Sequence, residues 1–259
     1  VMIDAKDVYA GELPIRLAVD HLIEGLLPGC ITTVRVAAHY SKLDACRDIC
    51  AELSQRGFRV FLNLMQIDAA NAAEFETCLK EAKQFDTIDV LYIADSFGSM
   101  KPSRVHEIIG RFADRLESDV GFHGHDNRGY ALINSVAAAM AGARWIDCTM
   151  GGMGRGAGNT ASEQLLPILG RLDASAERAL LEHVLHHFGP LRKRYGWGSS
   201  AAYQFAGSNF IHPSYVQKLR EEGALSEAAI IDLLSNLSAD QRLSFADDKI
   251  SELMAQTIA

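Results

Sequence analysis

Ser118-Asp-Val-Gly-Phe-His-Gly-His-Asp-Asn127 is the stretch from which the rest of the chain is read. Ser118 to Phe122 has the short apolar character of a buried strand. It delivers His123 and His125 at its end, and a glycine-punctuated turn into a helix follows. Alternate residues of a strand point to one side, so His123 and His125 can hold one ion between two imidazoles. Two strand-end histidines can equally hydrogen-bond to their neighbours. What tips the reading toward an ion lies downstream, where Trp145-Ile-Asp-Cys-Thr-Met150 runs into Gly151-Gly-Met-Gly-Arg-Gly-Ala-Gly-Asn159.

Outward from this stretch, short apolar or β-branched runs occur at Val1 to Ile3, Thr32 to Ala37, Val60 to Leu64, Val90 to Ala94, Val120 to Phe122 and Trp145 to Thr149. They recur about every 30 residues, the length of one strand-plus-helix unit. The segments between them carry helical periodicity: Ile15 to Leu26, Lys42 to Ser54, Phe75 to Phe85, Pro102 to Leu116 and Arg128 to Met140. Ser103 and Asn127 stand near helix starts. Gly29, Gly57 and Gly142 precede strands, where a helix end favours a residue tolerant of positive φ. Such alternation predicts a parallel sheet covered by helices.

An open doubly wound sheet and a closed β/α barrel both fit this alternation, and the polar residues help to separate them. The strand ends are read as carrying Asp4 and Lys6, Arg35 and His39, Asn63 and Gln66, Asp95 and Ser96, His123 and His125, then Asn159. Chemistry gathered at the C-terminal mouth of many strands is the barrel pattern, whereas an open sheet concentrates it at one switch point. Gly154-Arg-Gly-Ala-Gly158 lacks the spacing and the first-βαβ position of a dinucleotide fingerprint. The predicted fold is therefore α/β, a (β/α)8 TIM barrel of which six strands are visible.

After Gly170 the strands stop. Helices are expected at Ala174 to Phe188, Pro213 to Glu222, Ser226 to Leu234 and Ala239 to Thr257, after one at Thr160 to Leu169. This divides the chain into a barrel domain, 1–170, and a helical C-terminal domain, 171–259. The aromatic, glycine-rich segments Tyr195 to Tyr203 and Ala206 to Pro213 either cap the barrel mouth or supply a packing and dimer surface.

A formal charge of −8 over 259 residues excludes a polyanion-binding surface, so no nucleic acid partner is expected. The longest apolar runs, such as Ala137 to Ala141, are far too short to span a bilayer, and no membrane partner is expected. Five cysteines without a C-x-x-C pair suit reduced thiols and a cytoplasmic location.

Arg35-Val-Ala-Ala-His-Tyr40, Ala94-Asp-Ser-Phe-Gly-Ser-Met100, Phe122-His-Gly-His-Asp-Asn127 and Gly152-Met-Gly-Arg-Gly-Ala-Gly-Asn159, in this order and spacing, resemble the metal-dependent aldolase and lyase barrels of the 4-hydroxy-2-oxovalerate aldolase and hydroxymethylglutaryl-CoA lyase group. The resemblance covers Val1 to about Leu169 and lies closer to the aldolase branch. Gly-Met-Gly-Arg-Gly stands where acyl-CoA lyases carry a reactive cysteine, which speaks against thiol catalysis by Cys148. The resemblance implies that His123 and His125 are divalent-metal ligands, with Asn159 a weaker third ligand or a water-mediated neighbour. Mn²⁺ is the first choice of ion, with Mg²⁺, Co²⁺ and Zn²⁺ as alternatives.

The family's remaining carboxylate ligand, its neighbouring arginine and the aldolase's basic histidine belong to a first strand and loop that this chain lacks. Val1 begins what looks like the third strand, so the first two βα units are expected upstream, or the open sheet edges are covered by association. Ser208-Asn209 stands where the oxovalerate aldolases have a tyrosine. The implied reaction is retro-aldol or aldol chemistry next to the carbonyl of a small 2-oxo acid, through a pyruvate enolate. Arg35 is the candidate to neutralise developing charge or a substrate carboxylate, and Asp95 to orient a ligand or polar substrate group. For both, an interior ion pair is the alternative. His39 and Lys6 are weaker proton-transfer candidates. Adding a Cβ in the glycine run, at Gly156 for example, is expected to harm activity more than stability. A homodimer is expected, with a dehydrogenase as possible partner for the released aldehyde. The alternatives are a Claisen condensation resembling isopropylmalate synthase and a non-catalytic barrel with an assembly role.

Overall fold

The computed structural model describes residues 1–9, 11–25, 30–222 and 225–255. Six strands form one sheet: β1 (Met2–Asp4), β2 (Thr33–His39), β3 (Arg59–Met65), β4 (Val90–Asp95), β5 (Asp119–Gly124) and β6 (Trp145–Asp147). Their spatial order, β1-β2-β3-β4-β5-β6, is their chain order. The ladders from β1 to β4 are parallel, with Ile3 opposite Val36, Val36 opposite Leu62 and Leu62 opposite Leu91. Every crossover therefore steps in the same direction, as in the wall of a β/α barrel. A doubly wound sheet would reverse its order at a switch point.

Two compact units group the contacts. One comprises Val1–Ala94, His106–Phe122 and Ala138–Ile146, and the other Asp95–Val105, His123–Ala137 and Asp147–Ala259. The first holds most of the sheet. Val34, Val36, Leu62, Leu64, Leu91 and Ile93 are buried on one face of its strands, as expected where helices cover a parallel sheet, while the opposite face carries Arg35, Asn63 and Tyr92. Its helices are α1 (Ala5–Tyr9), α2 (Ile15–Ile23), α3 (Arg47–Gln55) and α4 (Ala72–Ala82), with most of α5 (Pro102–Ala113) and the end of α6 (Ala131–Met140). Gly57 and Gly142 adopt φ of +82° and +104°, the turn the sequence calls for, while Gly29 and Leu26 lie outside the described residues.

The second unit contains α7 (Ser162–Ile168), α8 (Ala174–His183), α9 (Gly189–Tyr195), α10 (Ala201–Ser208), α11 (Ser214–Glu222), α12 (Glu227–Ser235), α13 (Ala239–Leu243) and α14 (Asp247–Ala255). Tyr203, Ala206, Tyr215, Val216, Ile230 and Leu234 lie in its core, and Ala157 of the glycine run packs with them. Several predicted helices differ in extent. Lys42 to Ser54 opens as two 3-10 turns before α3, with the Cys46 thiol donating to the Lys42 carbonyl at 3.3 Å. Ala239 onward is two helices, because the chain turns extended at Ser244; residues 256–259 of that prediction are outside the described set. Val184–Phe188 widens into a π-turn between α8 and α9. Among the described residues no helix is long and apolar enough to cross a membrane.

Candidate functional site

His123 is the fifth residue of β5, and His125 follows on an extension of that strand that pairs with the end of the glycine run. His125 and Asn159 form an antiparallel bridge, and the Asp126 amide donates to the Gly158 carbonyl at 3.0 Å. The two imidazoles stand nearly perpendicular, with Nε2 atoms 3.2 Å apart. Each ring is held from behind. His123 Nδ1 lies 2.8 Å from Asp147 Oδ2, and His125 Nδ1 lies 2.8 Å from the Asp95 carbonyl oxygen.

These partners decide the tautomers. A carbonyl and an ionised carboxylate only accept, so both Nδ1 atoms carry the proton and both Nε2 lone pairs face each other. Burial, followed by the neighbouring His123 and to a lesser degree Arg155 and His212, pushes the His125 pKa down to about 3 against the opposing bond to the Asp95 carbonyl. Two lone pairs at this distance repel unless a cation lies between them. Two nitrogens each about 2.0–2.1 Å from one ion, at tetrahedral or octahedral angles, are about 2.9–3.4 Å apart. The pair therefore fits a divalent ion, and Asp147 and the Asp95 carbonyl are the outer hydrogen bonds such ligands use.

Asn159 lies beside the pair through its bridge to His125. Its amide nitrogen donates to the Met153 carbonyl at 3.1 Å, which leaves Oδ1 as the acceptor to offer an ion. Among the described residues no group of three or more His, Cys, Asp or Glu side chains is arranged to hold a metal. The candidate donors among the described residues of this unit are thus two imidazoles and an amide.

Asp95 contributes differently from the expectation. Its carboxylate is buried and accepts from the Ser99 amide at 2.9 Å, the Met100 amide at 3.3 Å and Asn134 Nδ2 at 3.3 Å. These bonds organise the loop after β4, and the backbone carbonyl is what orients His125. Asp147, which sequence reasoning passed over, ends β6 as His123 nears the end of β5. A carboxylate at the C-terminal end of the neighbouring strand was the available signal.

The remaining candidates belong to the first unit. Arg35 is not at the end of its strand: it is third in β2, four residues before His39, or about 13 Å at strand rise. Its guanidinium lies over the Tyr92 ring, 4.0 Å from the centroid. His39 does end β2. The Ser41 amide donates to its Nδ1 at 3.2 Å, so Nε2 carries the proton and faces Gln66 Oε1 at 3.2 Å. Burial lowers its pKa, with the Gln66 bond opposing, so the ring is neutral. Lys6 is exposed and pairs with Asp4 at 3.3 Å.

Gly154 and Gly156 act in different ways. A Cβ on Gly154 would stand 2.5 Å from Asn159 Nδ2, whereas Gly156 has φ of +60° and its Cβ would meet the Tyr203 ring at 3.0 Å. A side chain at Gly156 therefore strains the backbone and the core packing, so the structure gives its substitution a stability cost as well. Gly154 is the position whose Cβ would disturb a candidate ligand.

Comparison with known proteins adds to this geometry. The HMGL-like family model matches residues 34–183. The 4-hydroxy-2-oxovalerate aldolase of Marinomonas sp. (strain MWYL1) is 36% identical over 159 residues, covering 60% of this chain and 46% of that protein. The enzyme of the same name from Pseudomonas putida is 37% identical over 158 residues, covering 60% and 44%. The chain thus spans less than half the length of these relatives. Among solved structures, the N-terminal domain of a protein described as an aldolase from Bacteroides vulgatus has a TM-score of 0.70 at 29% identity, covering 86% of this chain and 72% of that one. The carboxyl transferase domain of Rhizobium etli pyruvate carboxylase, solved with pyruvate and biocytin, also reaches 0.70, at 14% identity over 99% of this chain and 48% of that one. At that identity the likeness concerns the fold alone.

Proposed function

We propose that this chain, which belongs to the HMGL-like family, carries the metal-binding half of the site of a divalent-metal-dependent carbon–carbon lyase acting on a small 2-oxo acid, as the names of the aldolases it resembles suggest. The observation that carries the reading is the pair of Nε2 lone pairs converging at 3.2 Å while both Nδ1 atoms are held from behind. In chain order we read 1–170 as the barrel segment and 171–259 as the helical one.

His123 and His125 bind the ion as neutral imidazoles, Asp147 fixes the His123 tautomer, and Asn159 Oδ1 offers a weaker third contact. Mn²⁺ is the ion we expect first, with Mg²⁺, Co²⁺ or Zn²⁺ able to use the same donors. Bound there, such an ion supplies Lewis-acid polarisation of a 2-oxo carbonyl. Asp95 acts by positioning, through its carbonyl on His125. His39, held neutral, is a candidate proton acceptor once Nδ1 leaves the Ser41 amide. Arg35, stacked on Tyr92 below the strand end, is assigned to packing rather than to the substrate carboxylate. The five free thiols support a cytoplasmic location. Exposed Leu181 and Leu185 support a homodimer through the helical segment, and a dehydrogenase is the natural recipient of an aldehyde product.

The test has two readouts. Calorimetry with Mn²⁺ should show binding that is lost in the His123→Ala, His125→Ala double variant, and unchanged affinity there would remove the assignment. Incubation of the protein with Mn²⁺ and 4-hydroxy-2-oxovalerate should release pyruvate. Release of free CoA thiol from an acyl-CoA and a 2-oxo acid would instead select the Claisen reaction, and neither product would select a non-catalytic role.

A further inference from the structure

A pocket of about 560 Å³ lies in the unit that carries the histidine pair, with Gly154, Arg155, Trp197, Tyr203 and Arg220 in its lining. This is the size range of small-metabolite sites. Its wall is one residue away from the candidate ligands. A Cβ on Gly154 would touch the Asn159 amide, and Asn159 is bridged to His125. Gly154 in the pocket wall thus adjoins Asn159, which stands beside His125.

The charges of the lining are unequal. Arg220 is engaged by Glu227 and by Ser200 Oγ, and lies over the Tyr203 ring at 4.9 Å. Glu221, also in the lining, is met by Gln217 Nε2 at 3.0 Å and Lys218 Nζ at 3.6 Å. Arg155 is exposed and has no ion-pair partner among the described residues, so it is the uncompensated charge of this lining. The aromatic walls are fixed. Trp197 and Tyr203 are 6% and 2% exposed, and Trp197 Nε1 donates to the Gly151 carbonyl at 3.0 Å. A flat apolar wall beside one free guanidinium suits a short carbon chain ending in a carboxylate.

We propose that this pocket receives the distal end of the substrate and that Arg155 selects a carboxylate there. This rests on the lyase reading above and narrows it to 4-hydroxy-2-oxo acids with a second, distal carboxylate. Cleavage of the C3–C4 bond in such a compound yields pyruvate and an aldehyde acid. The C4 hydroxyl gives up its proton, C3 gains one, and no oxidant or reductant is needed.

2-Oxoglutarate and 2-oxovalerate have the same chain length and differ in a carboxylate against a methyl at the far end, which makes them the probes. Calorimetry on the whole chain with Mn²⁺ should show 2-oxoglutarate binding at least about tenfold tighter, as expected for one charge-assisted contact. Arg155→Gln should abolish the preference while leaving 2-oxovalerate unchanged, and Arg155→Lys should restore part of it. Equal affinities, no binding of either acid, or a preference that survives Arg155→Gln would overturn the proposal. The two readings fail separately. An Arg155-dependent preference that ignores Mn²⁺ and accompanies no cleavage removes the lyase reading and keeps an anion pocket. Cleavage of 4-hydroxy-2-oxovalerate with no Arg155-dependent preference keeps the lyase and removes the pocket.

Discussion

Asp147 shows how much a metal ligand depends on the group behind it. Without its carboxylate, the His123 proton loses the acceptor that holds it at Nδ1, and the ring can turn or change tautomer. Asp147→Ala is expected to weaken Mn²⁺ binding about 10–100-fold, measured by calorimetry, with the far-ultraviolet spectrum unchanged. Affinity equal to that of the parent would mean that Asp147 is only a surface partner of His123. At this scale the sequence was legible where local geometry decides. An H-x-H at a strand end puts two rings on one side whatever surrounds them. It was harder to read where the partner comes from another strand, because the strand-end carboxylate of Asp147 marks a place at the sheet's end but not that it faces His123. The place of Arg35 was misread for a related reason: β2 runs on to His39, and strand length is set by pairing with β3, which composition does not reveal.

Helix α4 carries its own start signal. Asn71 Oδ1 accepts from the Ala73 and Glu74 amides at 3.0 and 3.1 Å, and Glu74 Oε2 accepts from the Asn71 amide at 2.9 Å, a reciprocal capping box. Asn71→Ala is expected to cost about 1 kcal/mol of stability, read as a lowered urea midpoint with an unchanged slope. An unaltered midpoint would show that solvent caps this helix equally well. The existence of most helices followed from their apolar period, but their ends did not. The start of α4 was placed at Phe75, its first core residue, when the polar cap begins the helix at Ala72. Likewise α6 begins at Ala131, whose amide donates to Asp126 Oδ1 at 3.0 Å, so Asp126 takes the role expected of Asn127. The short α10, with Tyr203 in its core face, was hidden in a glycine-rich segment because tertiary burial rather than period defines it.

Over the whole molecule, parallel alternation and the order of strands were legible from spacing alone, since each βα unit packs beside its predecessor. The grouping of contacts was not. The ends of β4 and β5 belong to the unit that contains the C-terminal helices, through bonds such as Asp126 to Gly158 that span thirty-odd residues. Two half-buried histidines also give the molecule a pH dependence. His125 is held at about 3 and His39 is lowered, both by burial, against about 6.5 in the unfolded chain. The unfolded state therefore binds more protons below that value, and stability rises with pH through the window. Metal-free protein is expected to be most stable above about pH 6.5 and to lose stability progressively on acidification. Urea midpoints in EDTA at pH 7.5, 6.5 and 5.5 should fall in that order, and less steeply in His125→Gln. A midpoint that rises on acidification would contradict the neutral assignment.

The sequential strand order also bears on synthesis. Each strand pairs with the one made immediately before it, about 30 residues earlier, so a partner has already left the ribosome when a new strand emerges. At about 5–20 residues per second, a fresh edge waits only a few seconds before it is covered. The sheet can grow vectorially from β1 toward β6. A translational pause after any helix would leave the earlier strands paired and a single strand open to chaperones.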